Sequence, residues 1–431
     1  MQILEQKTPS HWLRIFIPIW VGQVFSLLGS GLVHFALVWW MTEKTGSAAV
    51  LASASLVGLL PQVFLSPFAG ALVDRWNRRW VMVAADGLVA LATVGLVVLF
   101  ASGQVQLWHV YVALFIRSLG GAFHWPAMQA STSLMVPQQH LARIAGANQA
   151  LNGLINIGAP PLGALLIATL PIFQVLAIDI VTAGLAILPL LFIAIPQPVR
   201  QDAHLAVTPK TVWADVRGGF RYVVSWPGIF TLLLMAAMVN FLLSPGSAFM
   251  PLLVTRHFNG GALQLAWMQS AWGVGAVAGG LLLSAWGGFR RKIITSMLSL
   301  MGIGVGVLIT GAAPAWGYWI AWSGMLISGI MNPLTNGPLF ALLQSKIEPH
   351  MQGRVFTLVN SLAQAMMPLG MMIGAPVAEL LGLRAWYLFG GGMCLLMGFI
   401  GLTVRMINTL DDQQPGGKII VAAAEPSIAT D

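Results

Sequence analysis

Five side chains that can carry or exchange charge lie inside long apolar segments of this chain: Arg117, Asp179, Asp86, His34 and His124. If those segments cross a bilayer, an ionised group at the centre costs at least about 2.5–3.5 kcal/mol, so each must face a partner or water. Carboxyl and imidazole groups can also bind a proton in one state and release it in another. These residues predict a site that handles charge within a membrane.

The sequence alone does not identify a single residue as the proton carrier. Asp179 lies deepest, in the stretch Ala177-Ile178-Asp179, and is the first candidate; His34 and His124 are alternatives because imidazole titrates near neutrality. Asp86 follows Arg79 by seven residues. We expect Asp86 to pair with the neighbouring arginines instead of exchanging protons.

Polar side chains repeat at three- or four-residue spacing in several apolar segments, which places them on one face of a helix. Such faces predict a solvated cavity; the alternative is hydrogen bonding between helices, worth about 0.6 kcal/mol per bond. The predicted lining comprises Gln23, Ser30, His34, Arg117, His124, Met128, Asn152, Asn240, Asn332, Asn336 and Gln364.

Methionine and tryptophan accompany these polar positions, among them Met128, Trp125, Trp267 and Met367. Flexible thioethers and broad rings accommodate varied apolar ligands. We therefore expect an amphipathic or hydrophobic organic substrate and not a sugar or a small anion.

The segments that carry these residues are long and apolar enough to cross a bilayer. Of the 431 residues, 57% are hydrophobic and 8% are charged, whereas soluble chains carry roughly 25% charged residues. A spanning helix needs about 20 apolar residues, so the fold class is an all-α membrane protein. We predict twelve transmembrane helices, over 14–40, 48–73, 80–101, 106–130, 141–169, 171–194, 228–254, 263–286, 292–312, 316–343, 352–381 and 384–407.

Basic residues concentrate on one side of this arrangement. Apart from Arg117, every Lys and Arg except Lys44, Arg256 and Arg384 falls on the side that holds both termini. The positive-inside rule makes that side cytoplasmic and predicts a multi-pass protein of the plasma or inner membrane. Because the net charge of +8 is scattered between apolar spans, it does not indicate a nucleic-acid partner.

The chain divides into two similar halves. We expect a six-helix bundle over 1–195, a cytoplasmic linker over 196–227 with an amphipathic surface helix, a second bundle over 228–408 and a disordered cytoplasmic tail over 409–431. The glycine, tryptophan and paired arginines of residues 70–79 recur in residues 280–291. Repeats of this kind build many secondary transporters, which hold substrate between the halves near mid-membrane.

Residues 70–79 read Gly-Ala-Leu-Val-Asp-Arg-Trp-Asn-Arg-Arg between the second and third predicted spans. This resembles the signature loop of the major facilitator superfamily, with Gly70, Asp74, Arg75, Arg78 and Arg79 as its matching residues. The stretch 20–31 is similar to the macrolide-efflux and enterobactin-exporter-like drug:proton antiporters. The resemblance implies two pseudo-symmetric six-helix bundles that rock about a central site.

The loop also has a physical interpretation. Asp74 would end the second span beside the N-terminus of the eleventh, where a carboxylate stabilises the helix dipole by about 0.3–1 kcal/mol. That contact would exist only while the halves are closed on the cytoplasmic side, so Asp74 would act as a latch. For Arg75, Arg78 and Arg79 the alternative is that they only fix topology.

Two further elements match the family in part. Arg117 and Gly121 fit its R-x-x-x-G element, which implies that Arg117 lies in the cavity wall; a buried structural ion pair is the alternative. Gly158, Pro160, Pro161 and Gly163 resemble the antiporter motif, with Ala159 inserted and Ala164 in place of the last glycine. Proline withholds a backbone donor and bends helices, and ordinary small-residue packing is the other interpretation.

These observations predict a monomeric exporter of amphipathic, macrolide- or drug-like small molecules, working by alternating access and proton antiport, with no cofactor or metal. Alternatives within the fold are export of a siderophore, or movement of a lysophospholipid or metabolite. An intramembrane enzyme or a sensor is a different class. The sequence contains no Walker A loop, H-E-x-x-H pair or G-x-S-x-G turn, so we do not expect an enzyme.

Overall fold

The computed structural model describes residues 12–73, 76–197, 217, 220–408 and 410–412. Twelve helices of 21 residues or more run through this part of the chain, followed by a short α13 (Arg405–Asn408), and no strand occurs in it. The long helices are α1 (Trp12–Thr45), α2 (Ala48–Val73), α3 (Arg78–Ala101), α4 (Leu107–Met135), α5 (Gln138–Thr169), α6 (Ile172–Phe192), α7 (Pro227–Leu252), α8 (Ala262–Trp286), α9 (Lys292–Ala312), α10 (Tyr318–Lys346), α11 (Pro349–Leu381) and α12 (Leu383–Thr403).

The predicted all-α class is confirmed, and each predicted span matches one long helix in order. Ten of these helices are long and apolar enough to cross a membrane. The other two are α4 and α8, which contain 29 and 25 residues. α4 includes Arg117, His109 and His124, which lower its mean hydropathy although its length suffices.

The two halves repeat the same packing pattern. In the first half α1 contacts α5 and α6, α3 contacts α4 and α6, and α2 contacts α4. The same pairs recur six helices later: α7 contacts α11 and α12, α9 contacts α10 and α12, and α8 contacts α10. Between the halves α5 packs on α8 and α2 packs on α11, which are also related by this shift. The structure is thus two pseudo-symmetric six-helix bundles.

At one end of the molecule the halves share hydrophobic clusters. This closed end holds the α1–α2, α7–α8 and α11–α12 connections. Leu37 and Leu51 of the first half pack in one cluster with Phe249 and Met371 of the second. Trp39 packs in another with Met268. Burial of apolar side chains from both halves therefore holds this end together.

At the opposite end each half has its own cluster. We call it the basic end, because it carries the arginine-rich α2–α3 and α8–α9 connections. Phe16, Met82 and Leu190 pack within the first half, whereas Leu232, Met297 and Leu343 pack within the second. No cluster of the described residues joins the halves there. The space between the halves therefore opens toward the basic end.

Polar contacts also cross between the halves at the closed end. Glu379 of α11 accepts from Ser47 Oγ and from the backbone N–H of Ala49, both at 3.4 Å. Ala49 lies in the first turn of α2, where unpaired N–H groups favour an anion. Gly46 has φ +59°, and the guanidinium of Arg256 lies 3.1 Å from where a Cβ would be. Glycine therefore suits both the turn and the approach of the other half.

The linker and the tail lie largely outside the described residues. Of the predicted amphipathic helix, residues 220–224 are helical. Val223 and Trp226 are buried in the cluster of the second half, so this end of the linker is attached to that half. The predicted domain boundaries stay predictions.

The Glu379 contact generates a test of the closed end. Glu379→Gln removes the charge that faces the α2 N-terminus, so we expect the closed end to open more often. Ser247→Cys, in the cavity described below, provides a reporter, because the native Cys394 is fully buried. An impermeant maleimide added from the closed-end side should label it roughly two- to fivefold faster, which corresponds to about 0.3–1 kcal/mol.

The matched control is Glu43→Gln, which removes an exposed carboxylate from the last turns of α1. It should leave the labelling rate unchanged. Equal labelling in the Glu379→Gln variant and its parent would show that this carboxylate does not hold the halves together.

Candidate functional site

A cavity of about 640 Å³ lies between the halves, within the range of small-molecule sites. The first half supplies most of its wall, from α1, α2, α3, α4 and α6. The second half contributes Ser247, Ala248, Pro251, Gln269 and Met371. The site is therefore asymmetric although the fold is nearly symmetric.

The dominant interaction in the wall is an ion pair between α4 and α6. Arg117 Nη1 lies 2.6 Å from Asp179 Oδ2, with the side chains 12% and 1% exposed. Thr93 Oγ1 of α3 accepts from Arg117 at 2.8 Å and donates to Asp179 at 3.0 Å. Ser30 Oγ of α1 donates to the other carboxylate oxygen at 3.3 Å. Four helices therefore meet at one carboxylate.

Close helix packing brings these groups together. A Cβ at Gly29 would lie 2.1 Å from Thr182 Oγ1 and 3.2 Å from the Cα of Asp179. Only glycine allows α1 to approach α6 this closely. The same approach places Ser30, the next residue along α1, beside Asp179. Sequence reasoning gave the cavity wall and the buried pair as alternatives for Arg117; the structure shows both.

A second polar group lies on the same wall. Gln23 Nε2 donates to Asp86 Oδ2 at 3.1 Å, and His124 Nε2 lies 3.5 Å from Asp86 Oδ1. The expectation that Asp86 pairs with Arg78 or Arg79 is wrong. Because the carboxylate extends from α3 toward α1 and α4, it faces the cavity. Both α3 and α6 contribute to the cavity wall.

Arg78 and Arg79 bind backbone carbonyls instead. Arg78 Nη1 donates to Ala130 O at 2.8 Å, and Arg79 donates to the carbonyl oxygens of Leu190 and Leu191. These acceptors lie near the C-terminal ends of α4 and α6, where cations are favourable. The two arginines thus tie the start of α3 to two neighbours. Gly70 lies in α2, and Asp74 and Arg75 lie outside the described residues.

Five residues of the predicted lining reach the cavity wall: Gln23, Ser30, His34, Arg117 and His124. Six do not line it: Met128, Asn152, Asn240, Asn332, Asn336 and Gln364. Met128 packs against the apolar cluster of the first half. Asn240 and Asn336 each donate to a carbonyl one turn earlier in their own helix, Ala236 and Asn332. Gln364 shares the α11 face of Met371, but two turns nearer the basic end.

The aromatic part of the lining prediction also needs correction. Trp125 and Trp267 are each about half exposed, and neither lines the cavity. The methionines that do line it are Met41 and Met371. Because Trp favours the membrane interface, its presence in a cavity-forming helix says little about which face it occupies.

Several functional candidates escaped sequence analysis. Thr93 completes the ion-pair network, and Gln62, Ser118 and Gln269 line the cavity. Thr93 follows Asp86 by seven residues, two helical turns on the same face of α3. That spacing was a usable signal. For Gln62, Ser118 and Gln269 the sequence gives no such signal, because a single polar residue in an apolar helix does not show which face of the helix lines the cavity.

The proline-rich stretch of α5 remains helical. Pro160 and Pro161 lie inside α5, which continues to Thr169. A Cβ at Gly163 would lie 2.9 Å from the ring of Phe35 in α1, whereas one at Gly158 would meet nothing within 4 Å. Gly163 therefore serves helix contact, and no packing reason for Gly158 is visible.

Known proteins identify the family that uses this architecture. The sequence model of the Major Facilitator Superfamily matches residues 19–366, most of both halves. The chain belongs to the major facilitator superfamily. Macrolide efflux protein A of Streptococcus pyogenes is 33% identical over 402 residues, 93% of this chain and 98% of that protein. The multidrug efflux pump Tap of Mycolicibacterium fortuitum is 26% identical over 396 residues, 89% of this chain and 94% of that protein.

Solved structures agree on the fold of this major facilitator protein. The nucleoside transporter NupG has a TM-score of 0.66 at 12% identity and covers 89% of this chain and 97% of its own. A bacterial homologue of the iron transporter ferroportin, in an inward-facing state, has a TM-score of 0.65 at 16% identity, covering 90% and 98%. The predicted family is confirmed. The chain is a multi-pass membrane transporter, similar to macrolide and multidrug efflux proteins.

The buried ion pair generates a stability prediction. Arg117→Met leaves the Asp179 carboxylate buried without its counter-charge, and breaking a buried pair in this way costs about 3–5 kcal/mol. We expect a clearly lower melting temperature for the purified transporter. In the double variant Arg117→Met/Asp179→Asn no charge remains uncompensated, so much of the loss should be recovered.

Thermal melting of the parent, Arg117→Met, Asp179→Asn and the double variant in detergent measures this coupling. Arg143→Met, which removes an exposed arginine from α5, is the matched control and should melt like the parent. Losses that simply add in the double variant would contradict an energetically coupled pair.

Proposed function

We propose that this transporter exports amphipathic small molecules, macrolide-like in size and character, in exchange for protons that bind at Asp179. The observation that carries the proposal is the Arg117–Asp179 pair in the wall of the cavity. The efflux relatives support the direction and the class of substrate.

The pair couples protonation to the charge of the cavity. While Asp179 is ionised, it neutralises Arg117 at 2.6 Å. A proton on Asp179 removes the attraction and leaves Arg117 as a net positive charge in a poorly solvated wall. Proton binding therefore changes both the electrostatics of the cavity and the bonds that join α4 to α6. A group of this kind can make proton and substrate binding mutually dependent.

Alternating access follows from the packing of the halves. The described state is closed at one end by shared clusters and has separate cores at the other. We assign the basic end to the cytoplasm, as the positive-inside rule indicates, so this state would load substrate from the cytoplasm. Rocking of the bundles would then close the basic end, where Asp74 would act as the latch, and open the other.

Wall chemistry supports an amphipathic cargo. The lining combines apolar side chains such as Leu27, Leu59 and Met371 with a few polar ones such as Ser55 and Gln62. A mostly apolar wall with scattered polar groups suits drug-sized organic molecules. Because we assign no covalent chemistry to the cavity, the proposed role is transport and not catalysis.

Everted vesicles that contain the purified transporter test this function. An acid interior should drive accumulation of fluorescent amphipathic probes, and a protonophore should abolish it. Asp179→Asn keeps the volume of the carboxyl but cannot ionise. We expect this variant to lose gradient-driven accumulation to the level of empty vesicles, yet to retain probe exchange without a gradient.

Two results would count against the proposal in different ways. Gradient-driven accumulation by Asp179→Asn would remove Asp179 as the proton carrier while leaving export in place. If the parent transporter accumulated none of the macrolides and dyes, the proposed amphipathic substrate class would be wrong. A siderophore or a lysophospholipid would then be the favoured substrate. Glu43→Gln, which alters an exposed carboxylate outside the cavity, should transport like the parent.

A further inference from the structure

We propose that Asp86 is the subsite for a protonated amine on the substrate, separate from the proton site at Asp179. The inference rests on the proposed function, because it assumes that the cavity binds an organic molecule. It assigns a chemical requirement to one wall of the cavity, where carboxylate, amide, imidazole and hydroxyl groups of α1, α3 and α4 converge.

The two cavity carboxylates differ in how their charge is compensated. Asp179 lies 2.6 Å from a guanidinium and accepts two hydroxyl hydrogen bonds. Asp86 accepts one hydrogen bond, from the neutral amide of Gln23. Among the described residues no lysine or arginine forms an ion pair with Asp86. The ionisable neighbour of Asp86 is the imidazole of His124, at 3.5 Å. Among the described residues this carboxylate therefore has no permanently charged counter-cation, and a cationic ligand can neutralise it.

Burial makes this compensation energetically important. Asp86 is only 8% exposed, and an ionised carboxylate out of water is unfavourable unless it is paired. Gln23 donates to Oδ2, which leaves Oδ1 on the side of His124. An ammonium group of a ligand would supply the missing charge at Oδ1.

Two polar atoms of α4 in the cavity wall form no hydrogen bond, and one of them, His124 Nε2, lies 3.5 Å from Asp86 Oδ1. Ser118 Oγ and His124 Nε2 are buried and form no hydrogen bond in the structure, and both residues line the cavity. Ser118 is 6% exposed. Buried polar groups are normally satisfied, so unpaired ones in a cavity wall indicate that a ligand or water completes them. Ser118 and His124 are six positions apart along α4, and His124 lies beside the Asp86 carboxylate.

The charge of the wall fits the same conclusion. Apart from the histidines, the charged lining residues are Arg117, Asp179 and Asp86. With Arg117 and Asp179 paired, the remaining charge is the negative one of Asp86. When a proton binds Asp179, Arg117 adds a positive charge to the wall and weakens binding of a cation. The amine subsite therefore gives the proposed exchange an electrostatic basis.

A pair of probes that differ only in charge tests the assignment. One is a dansyl-labelled amphipathic molecule with a tertiary amine, and the other is its neutral N-acyl analogue. Fluorescence anisotropy with the purified transporter in detergent gives both affinities. We expect the parent to prefer the amine by at least roughly tenfold, about 1.4 kcal/mol, and Asp86→Asn to bind both probes equally. Asp86→Glu should restore the preference, and Glu43→Gln should retain it.

An amine preference that survives in Asp86→Asn, or a parent without any preference, would overturn the subsite. Melting temperatures confirm that each variant is folded. The outcome is independent of transport: an Asp86-dependent preference together with no accumulation in vesicles would refute the exporter and leave the subsite standing. Gradient-driven accumulation by the parent, together with an amine preference that is unchanged in Asp86→Asn, would refute the subsite and leave the exporter standing.

Discussion

Charge inside an apolar membrane protein must be compensated, and this requirement organises the first half of the transporter. Arg117, Asp179, Thr93 and Ser30 come from four helices and satisfy one another at distances of 2.6–3.3 Å. Neither of the two charged groups could be buried alone at acceptable free energy. The ion pair therefore fixes how α1, α3, α4 and α6 lie around the cavity, and it leaves one titratable carboxylate at their junction.

The second half provides a different kind of surface. Its contribution to the cavity is small and neutral, while its helices pack closely among themselves, as at Gly304 against the backbone of Gly391. The first half thus supplies the charged side chains of the cavity, and the second half supplies neutral ones. Pseudo-symmetry of the fold does not require symmetry of function, because a few side chains decide the chemistry of each wall.

Much of the fold could be predicted from the sequence, because span length and basic asymmetry are strong signals in membrane proteins. The residues of the site were harder to predict. Helical spacing identified Gln23, Ser30, His34, Arg117 and His124, since several polar residues on one face restrict its direction. The same spacing wrongly placed Asn240 and Asn336 in the cavity wall, because each donates a hydrogen bond to a carbonyl of its own helix. It also misassigned Asp86, because sequence distance to Arg79 says nothing about how α3 is rotated toward α1 and α4.

The floor of the cavity and the closed end are built from the same side chains. Met41, Leu51, Ala54 and Met371 line the cavity and also belong to the cluster that joins the halves. A molecule bound in the cavity would therefore contact the same side chains whose packing holds the closed end together, the packing that the proposed alternating access must separate. A small ligand would leave the packing of this cluster unchanged, whereas a larger one would push its side chains apart. We therefore expect the size of the ligand to affect the transport rate independently of its affinity.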